Sequence, residues 1–106
     1  MPKYLLTANY TDTGMRGLLK EGGTKRREAA RKAIESSGGK IEAFYYGFGD
    51  SDAYVIVDAP DNATTAAMCL AIGATGAVTT RTTVLLTPEE VDEAVKKSVD
   101  YRPPGS

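Results

Sequence analysis

From Lys40 to Asp58 the chain holds two β-forming runs, Lys40 to Phe48 and Ala53 to Asp58, with only Gly49-Asp50-Ser51-Asp52 between them. A gap of that length and composition makes a hairpin loop, so the two strands pair antiparallel. Each side of this hairpin carries a helical pattern and then another strand. Upstream, Lys3 to Tyr10 alternates Tyr4, Leu6, Ala8 and Tyr10 with Leu5, Thr7 and Asn9, the period of two expected of a strand whose faces differ. Downstream, Ala77 to Leu86 is rich in threonine and valine and reads as a fourth strand.

The intervening segments read as helices. Thr11 and Asp12 cap a short one through Met15, Leu18 and Leu19, which Gly22-Gly23 interrupts. Thr24 is then expected as the N-cap of a longer helix with Ala29, Ala30, Ala33 and Ile34 at helical spacing, ended by Gly38-Gly39. Pro60-Asp61-Asn62 stops the third strand and starts an alanine-rich helix through Met68, Cys69 and Leu70 to about Ile72. Thr87-Pro88-Glu89-Glu90 places an N-cap threonine before proline at the first helical position and glutamate at the third, opening a terminal helix with Val91, Ala94 and Val95 on one face. The order β-α-β-β-α-β plus a helix is the split βαβ pattern. It implies an α+β, ferredoxin-like fold: a four-stranded antiparallel sheet with helices on one face. One domain over residues 1–100 and an extended tail over 101–106 are expected.

Helices on one face leave the other to be explained. With Leu6, Ile41, Ala43, Val55 and Val57 toward the helices, the opposite face carries Leu5, Phe44, Tyr46, Phe48, Tyr54, Ile56 and Leu85. Burying one large apolar side chain contributes roughly 1.5–3 kcal/mol, so these seven rival the whole net stability of a domain, about 5–15 kcal/mol. Association of copies through that face is expected, unless a bulge reverses one strand's parity.

The string Tyr45-Tyr46-Gly47-Phe48-Gly49-Asp50-Ser51-Asp52-Ala53-Tyr54-Val55-Ile56-Val57-Asp58-Ala59-Pro60-Asp61 resembles the signature of the GYD-domain family. Gly22-Gly23-Thr24-Lys25-Arg26-Arg27 and Thr82-Thr83-Val84-Leu85-Leu86-Thr87-Pro88-Glu89-Glu90 resemble it as well, so the likeness runs over roughly residues 3–95. At the glycine-tyrosine-aspartate motif Gly49 and Asp52 agree, and Ser51 stands where the family usually has tyrosine. The resemblance implies a small bacterial or archaeal protein, similar in fold to the dimeric α/β barrels. It implies a homodimer or larger homo-oligomer and brings no catalytic residues.

Composition narrows the chemistry. Thirteen basic residues against 14 acidic give a net charge of -1, which provides no general field for nucleic acid or an anionic membrane. The chain has no histidine, the commonest metal ligand and general base. One cysteine, Cys69, allows no internal disulfide and suits a reducing, cytoplasmic setting; it reads as a small core thiol in its helix. The start through Leu6 is too short for the apolar core of a signal peptide. No metal, cofactor, nucleic acid or membrane is called for.

Two candidate sites remain. Gly23, Thr24, Lys25 and Arg26 set a helix start beside basic side chains, which suits an anion. The same charges also fit a solvated helix face pairing Lys25, Arg26 or Arg31 with Glu28 and Glu35. Asn9, Tyr45, Tyr46, Tyr54 and Arg81, with Tyr10 nearby, suit an aromatic ligand bearing a carbonyl or carboxylate, in a cleft between sheet and helices or between subunits. Packing and interface roles, each ring with a polar tip, are the reading preferred for them. Asp50, Asp52, Asp58 and Asp61 fall at turn, strand-end and cap positions and are read as such. The functional expectation is a homo-oligomeric domain that binds a small ligand or serves in assembly. The alternative is a cofactor-independent monooxygenase or isomerase of the dimeric α/β-barrel type.

Overall fold

The hairpin organises the sheet as its loop requires. In the computed structural model, which describes residues 1–106, β1 (Lys3–Tyr10), β2 (Lys40–Tyr46), β3 (Ala53–Asp58) and β4 (Val78–Leu85) form one sheet in the order β2-β3-β1-β4. Every neighbouring pair is antiparallel. The hairpin strands lie side by side, and β1 enters next to β3. The helices are α1 (Asp12–Glu21), α2 (Gly23–Ser36), α3 (Asn62–Ala74) and α4 (Pro88–Lys96). This is the ferredoxin-like α+β architecture expected from the sequence.

Three caps hold as expected. Thr11 accepts from the Gly14 N–H, Asp61 from the Thr64 N–H at 2.8 Å, and Thr87 shares a reciprocal capping box with Glu90. The expected cap at Thr24 does not form. Gly22, at φ +84°, ends α1 and starts α2 at once, so Thr24 lies inside the first turn of α2, whose start has no side-chain cap. The left-handed backbone at Gly22, open to glycine without strain, lets two helices abut with one residue between them.

The core lies between the sheet and its helices: Tyr4 and Leu6 of β1, Val55 and Val57 of β3, Ile34 of α2, Met68 of α3, and Ala59. Tyr4 is 1% exposed, and its hydroxyl donates to Asn62 Oδ1 at the start of α3. Cys69 is half-buried against this core, with its sulfur 3.3 Å from the Thr82 hydroxyl.

One strand departs from the expected parity. The β2–β3 register slips between Ile41 and Ala43, leaving Glu42 as the extra residue of a bulge. Past it, Phe44 opposes Val55 and Tyr46 opposes Ala53, both on the helix side, while Ala43 opposes Ile56 and Tyr45 opposes Tyr54 on the open side. One inserted residue exchanges the two faces for the rest of a strand. Phe44, Tyr46 and the Phe48 ring stacked on Tyr46 therefore leave the open face to which sequence alternation assigned them. Leu5, Tyr54, Ile56 and Leu85 remain there, joined by Ala43 and Tyr45. Lys3 anchors the charged end of that face, 2.9 Å from Asp58 and 3.2 Å from Glu42.

Candidate functional site: an apolar cavity under the helices

Alanine packs little volume against a sheet. Helix α2 packs on the sheet through buried Ile34; beside it Ala30 is half-buried and Ala29 and Ala33 are exposed. Between them and the floor of Leu6, Ala8, Phe44 and Val55 a cavity of about 190 Å³ stays open to solvent. Ile72 of α3 and Ala77 with Val78 close the far side, so the space lies between the two helices that cover the sheet. Its lining is almost wholly apolar. Arg26 is the one charged side chain on it; Thr75 and Thr80 are the neutral polar ones.

Arg26 and Tyr10 share one end of this cavity. Arg26 sits in the first turn of α2, three and four residues before Ala29 and Ala30, on the same helix face. Burial pushes the Tyr10 phenol up to about 12; the neighbouring Tyr46 adds to the rise, and the positive charge of Arg26 opposes it. Tyr46 is fixed by packing edge-on against Phe44, with ring centroids 5.2 Å apart, and by donating its hydroxyl to the Gly23 carbonyl at 3.0 Å. Two phenols and a guanidinium thus lie near one another, Tyr10 and Arg26 on the apolar lining itself and Tyr46 next to Tyr10.

Of the five residues expected to bind a ligand, four lie on the other side of the sheet. Register places Tyr45, Tyr54, Thr7 and Arg81 in one row across the four strands of the open face. Asn9 and Arg81 border a hollow of about 190 Å³, as large as the cavity itself, lined otherwise by Thr7, Ser51, Thr79 and Thr80 and by no apolar residue. Asn9 is partly committed, since its Oδ1 accepts from the Asp52 N–H at 3.1 Å. Asp52 also accepts from the Tyr10 N–H at 2.9 Å, so this aspartate ties the hairpin loop to the end of β1, in keeping with its reading as a turn residue. Tyr46 alone of the five reaches the cavity side, carried there by the bulge.

The expected anion group is dispersed in role. The Gly23 carbonyl accepts from Tyr46, Thr24 and Lys25 face solvent, and Arg26 turns toward the cavity while lying 3.6 Å from Glu21 of α1. Of the helix-face pairing read from the sequence, Arg31–Glu28 is present at 3.4 Å; Arg27, not named there, also approaches Glu28 at 3.4 Å. The sequence points to a cleft between sheet and helices as one placement of a ligand but not to these lining residues, because nothing in a string of alanines says whether a neighbouring element stands over it.

The family model for the GYD domain matches residues 4–95, from the first strand into the last helix. The chain belongs to the GYD-domain family. The match takes in both sides of the cavity, its floor, and the Arg26–Tyr10 end. No curated protein and no solved structure matches this GYD-domain chain. No helix is long and apolar enough to cross a membrane, and nowhere do three or more Cys, Asp or Glu side chains converge as metal ligands.

Proposed function

We propose that this GYD-domain protein is a homo-oligomeric binding domain that holds a small organic molecule in the cavity between its sheet and helices. The observation that carries this reading is the cavity itself. It is apolar, about 190 Å³ in volume, and has Arg26 and Tyr10 beside one another on its lining, a make-up common to small-molecule sites. The pocket is open to solvent, with Ala29 and Ala33 exposed along it, so an apolar occupant gains by displacing water from its apolar walls. The cavity also favours binding over proton abstraction. Its titratable side chains are an arginine and a tyrosine whose phenol stays protonated to about pH 12, both hydrogen-bond donors at neutral pH.

Association is the second half of the proposal. Leu5, Ile56 and Ala43 form an apolar row on the open face, flanked by the Tyr45–Tyr54 row, and sheet-to-sheet stacking of two copies covers both. Xenon tests the cavity directly, because apolar cavities of about 150 Å³ bind it. Pressurising the protein with xenon is expected to shift the NMR methyl signals of Ala29, Ala30 and Ala33 in a saturable way. Unmoved alanine methyls overturn the binding reading.

A further inference from the structure

The cavity is apolar along its walls and cationic at one end only, and that polarity specifies a ligand. We propose that it takes a small carboxylic acid in its ionised form, a single aromatic ring or a branched aliphatic chain carrying one carboxylate. The apolar body lies against Ala29, Ala30 and Ala33, and the carboxylate meets Arg26 and Tyr10. The proposal rests on the cavity-binding reading above and adds the chemical class of the occupant.

Size sets the body. A cavity of about 190 Å³ exceeds slightly the roughly 150 Å³ that admits benzene, so one ring or a chain of about six to eight heavy atoms fills it. Charge sets the head. Arg26 is the only charged side chain lining the space, the first turn of α2 contains no acidic residue, and Lys25 and Arg27 flank Arg26. A cation at that end meets repulsion, and a neutral molecule leaves the guanidinium without a partner inside the cavity. The present partner of Arg26 is Glu21, a single contact at 3.6 Å between side chains 33% and 42% exposed. Such a surface pair contributes little and gives way readily. A ligand carboxylate held at the edge of an apolar chamber can accept two parallel N–H bonds from the same guanidinium, which is the stronger arrangement. The Tyr10 hydroxyl, protonated at neutral pH as any phenol is, is a further donor on that lining.

Titration of benzoate, toluene and benzylamine into the protein at pH 7, followed by alanine-methyl NMR, tests the proposal. All three have a body of one ring and differ in the charge of the head. Benzoate is expected to bind at least about tenfold more tightly than toluene, the margin of one charge-assisted pair, and benzylamine more weakly than both. Arg26→Gln should erase the margin between benzoate and toluene, and Ala33→Phe, which fills the space, should abolish the alanine-methyl shifts with every probe. If toluene binds and benzoate gains nothing over it, the carboxylate assignment is wrong and the cavity reading stands. The carboxylate assignment is equally wrong if Arg26→Gln leaves the margin intact. If none of the three probes moves the alanine methyls of the wild-type protein, the cavity reading itself falls.

Discussion

Tyr10 is the last residue of β1, and its phenol is where the chemistry of the cavity becomes measurable. Because its folded-state pKa lies at about 12 against an ordinary value of 10, the folded state keeps a proton that the unfolded chain releases. The folded state binds more protons between those limits, so stability falls as pH rises from about 10 to about 12 and is unaffected by this group below pH 10. Tyr10→Phe should remove the highest-pH step from the absorbance titration at 295 nm and flatten that part of the stability curve. An unchanged titration would place the buried phenol elsewhere. Glu21 offers a second test. Since it competes for Arg26, Glu21→Gln is expected to tighten benzoate binding by up to about fivefold, the scale of one exposed ion pair. Calorimetric titration of the two proteins side by side reads the difference, and weaker binding to the variant would show Glu21 supporting the site instead of opposing it.

Helix α1 shows what the elements ask of single residues. Its start is bound to the segment before β4: the Thr11 N–H donates to Ala77 O at 3.0 Å and the Thr11 hydroxyl to Gly76 O at 2.7 Å. That approach leaves no room at Gly14, where an added Cβ would stand 1.9 Å from Ala77 O, a backbone atom. Gly17, one turn on, has nothing within 4 Å of the same added atom. Gly14→Ala is therefore expected to destabilise by about 1–3 kcal/mol through overpacking. Gly17→Ala should stabilise by about 0.5–1 kcal/mol through helix propensity. Paired urea melts check both signs, and a neutral Gly14→Ala would mean that α1 can move away from the sheet without loss. Neither glycine announces its role in the sequence, because both sit in one helical pattern and differ only in what tertiary packing brings near. The same limit explains the parity error in β2. Lys40 to Phe48 carries apolar residues at both odd and even positions, so alternation alone could not detect that Glu42 is an extra residue. Signals that depend on the local chain alone were legible, among them the hairpin loop, the Asp61 cap and the Thr87–Glu90 box. For the cavity, the sequence reading joins the tyrosines with Arg81 and sets Arg26 apart in an anion group, whereas the structure brings Arg26 and Tyr10 together. Which arginine joins which tyrosines depended on the bulge and on the α2–sheet spacing.

The whole molecule has more surface than one copy needs. Its accessible area is 7413 Å², against about 5,700 Å² for a compact monomer of this mass. Its radius of gyration is 16.8 Å, against about 13 Å for a compact domain of this length. Only 11 of 106 residues are buried, and the exposed apolar surface is concentrated. The outer side of α3 presents Ala63, Ala66, Ala67, Leu70, Ala71 and Ala74, with Leu70 74% exposed. A helix apolar on all sides belongs in an interior. The nine-residue α4 buries none of its own residues, and Val91 and Val95 are both exposed, although a helix that short is marginal in water without tertiary support. The open sheet face adds the Leu5–Ile56 pair at its centre. The excess area exceeds the roughly 800 Å² that each partner contributes to a standard interface, so the surface suffices for stable association. Sedimentation velocity at micromolar concentration is expected to show a dimer or larger species. Ile56→Lys, with a charge placed between Leu5 and Ala43, should shift it to a single subunit while leaving circular dichroism unchanged. If the variant remains associated, the helices α3 and α4 rather than the sheet hold the copies together. If the wild-type protein itself sediments as one subunit, α4 must find its support on its own chain, and the proposed assembly is lost while the cavity, which one copy builds alone, is not.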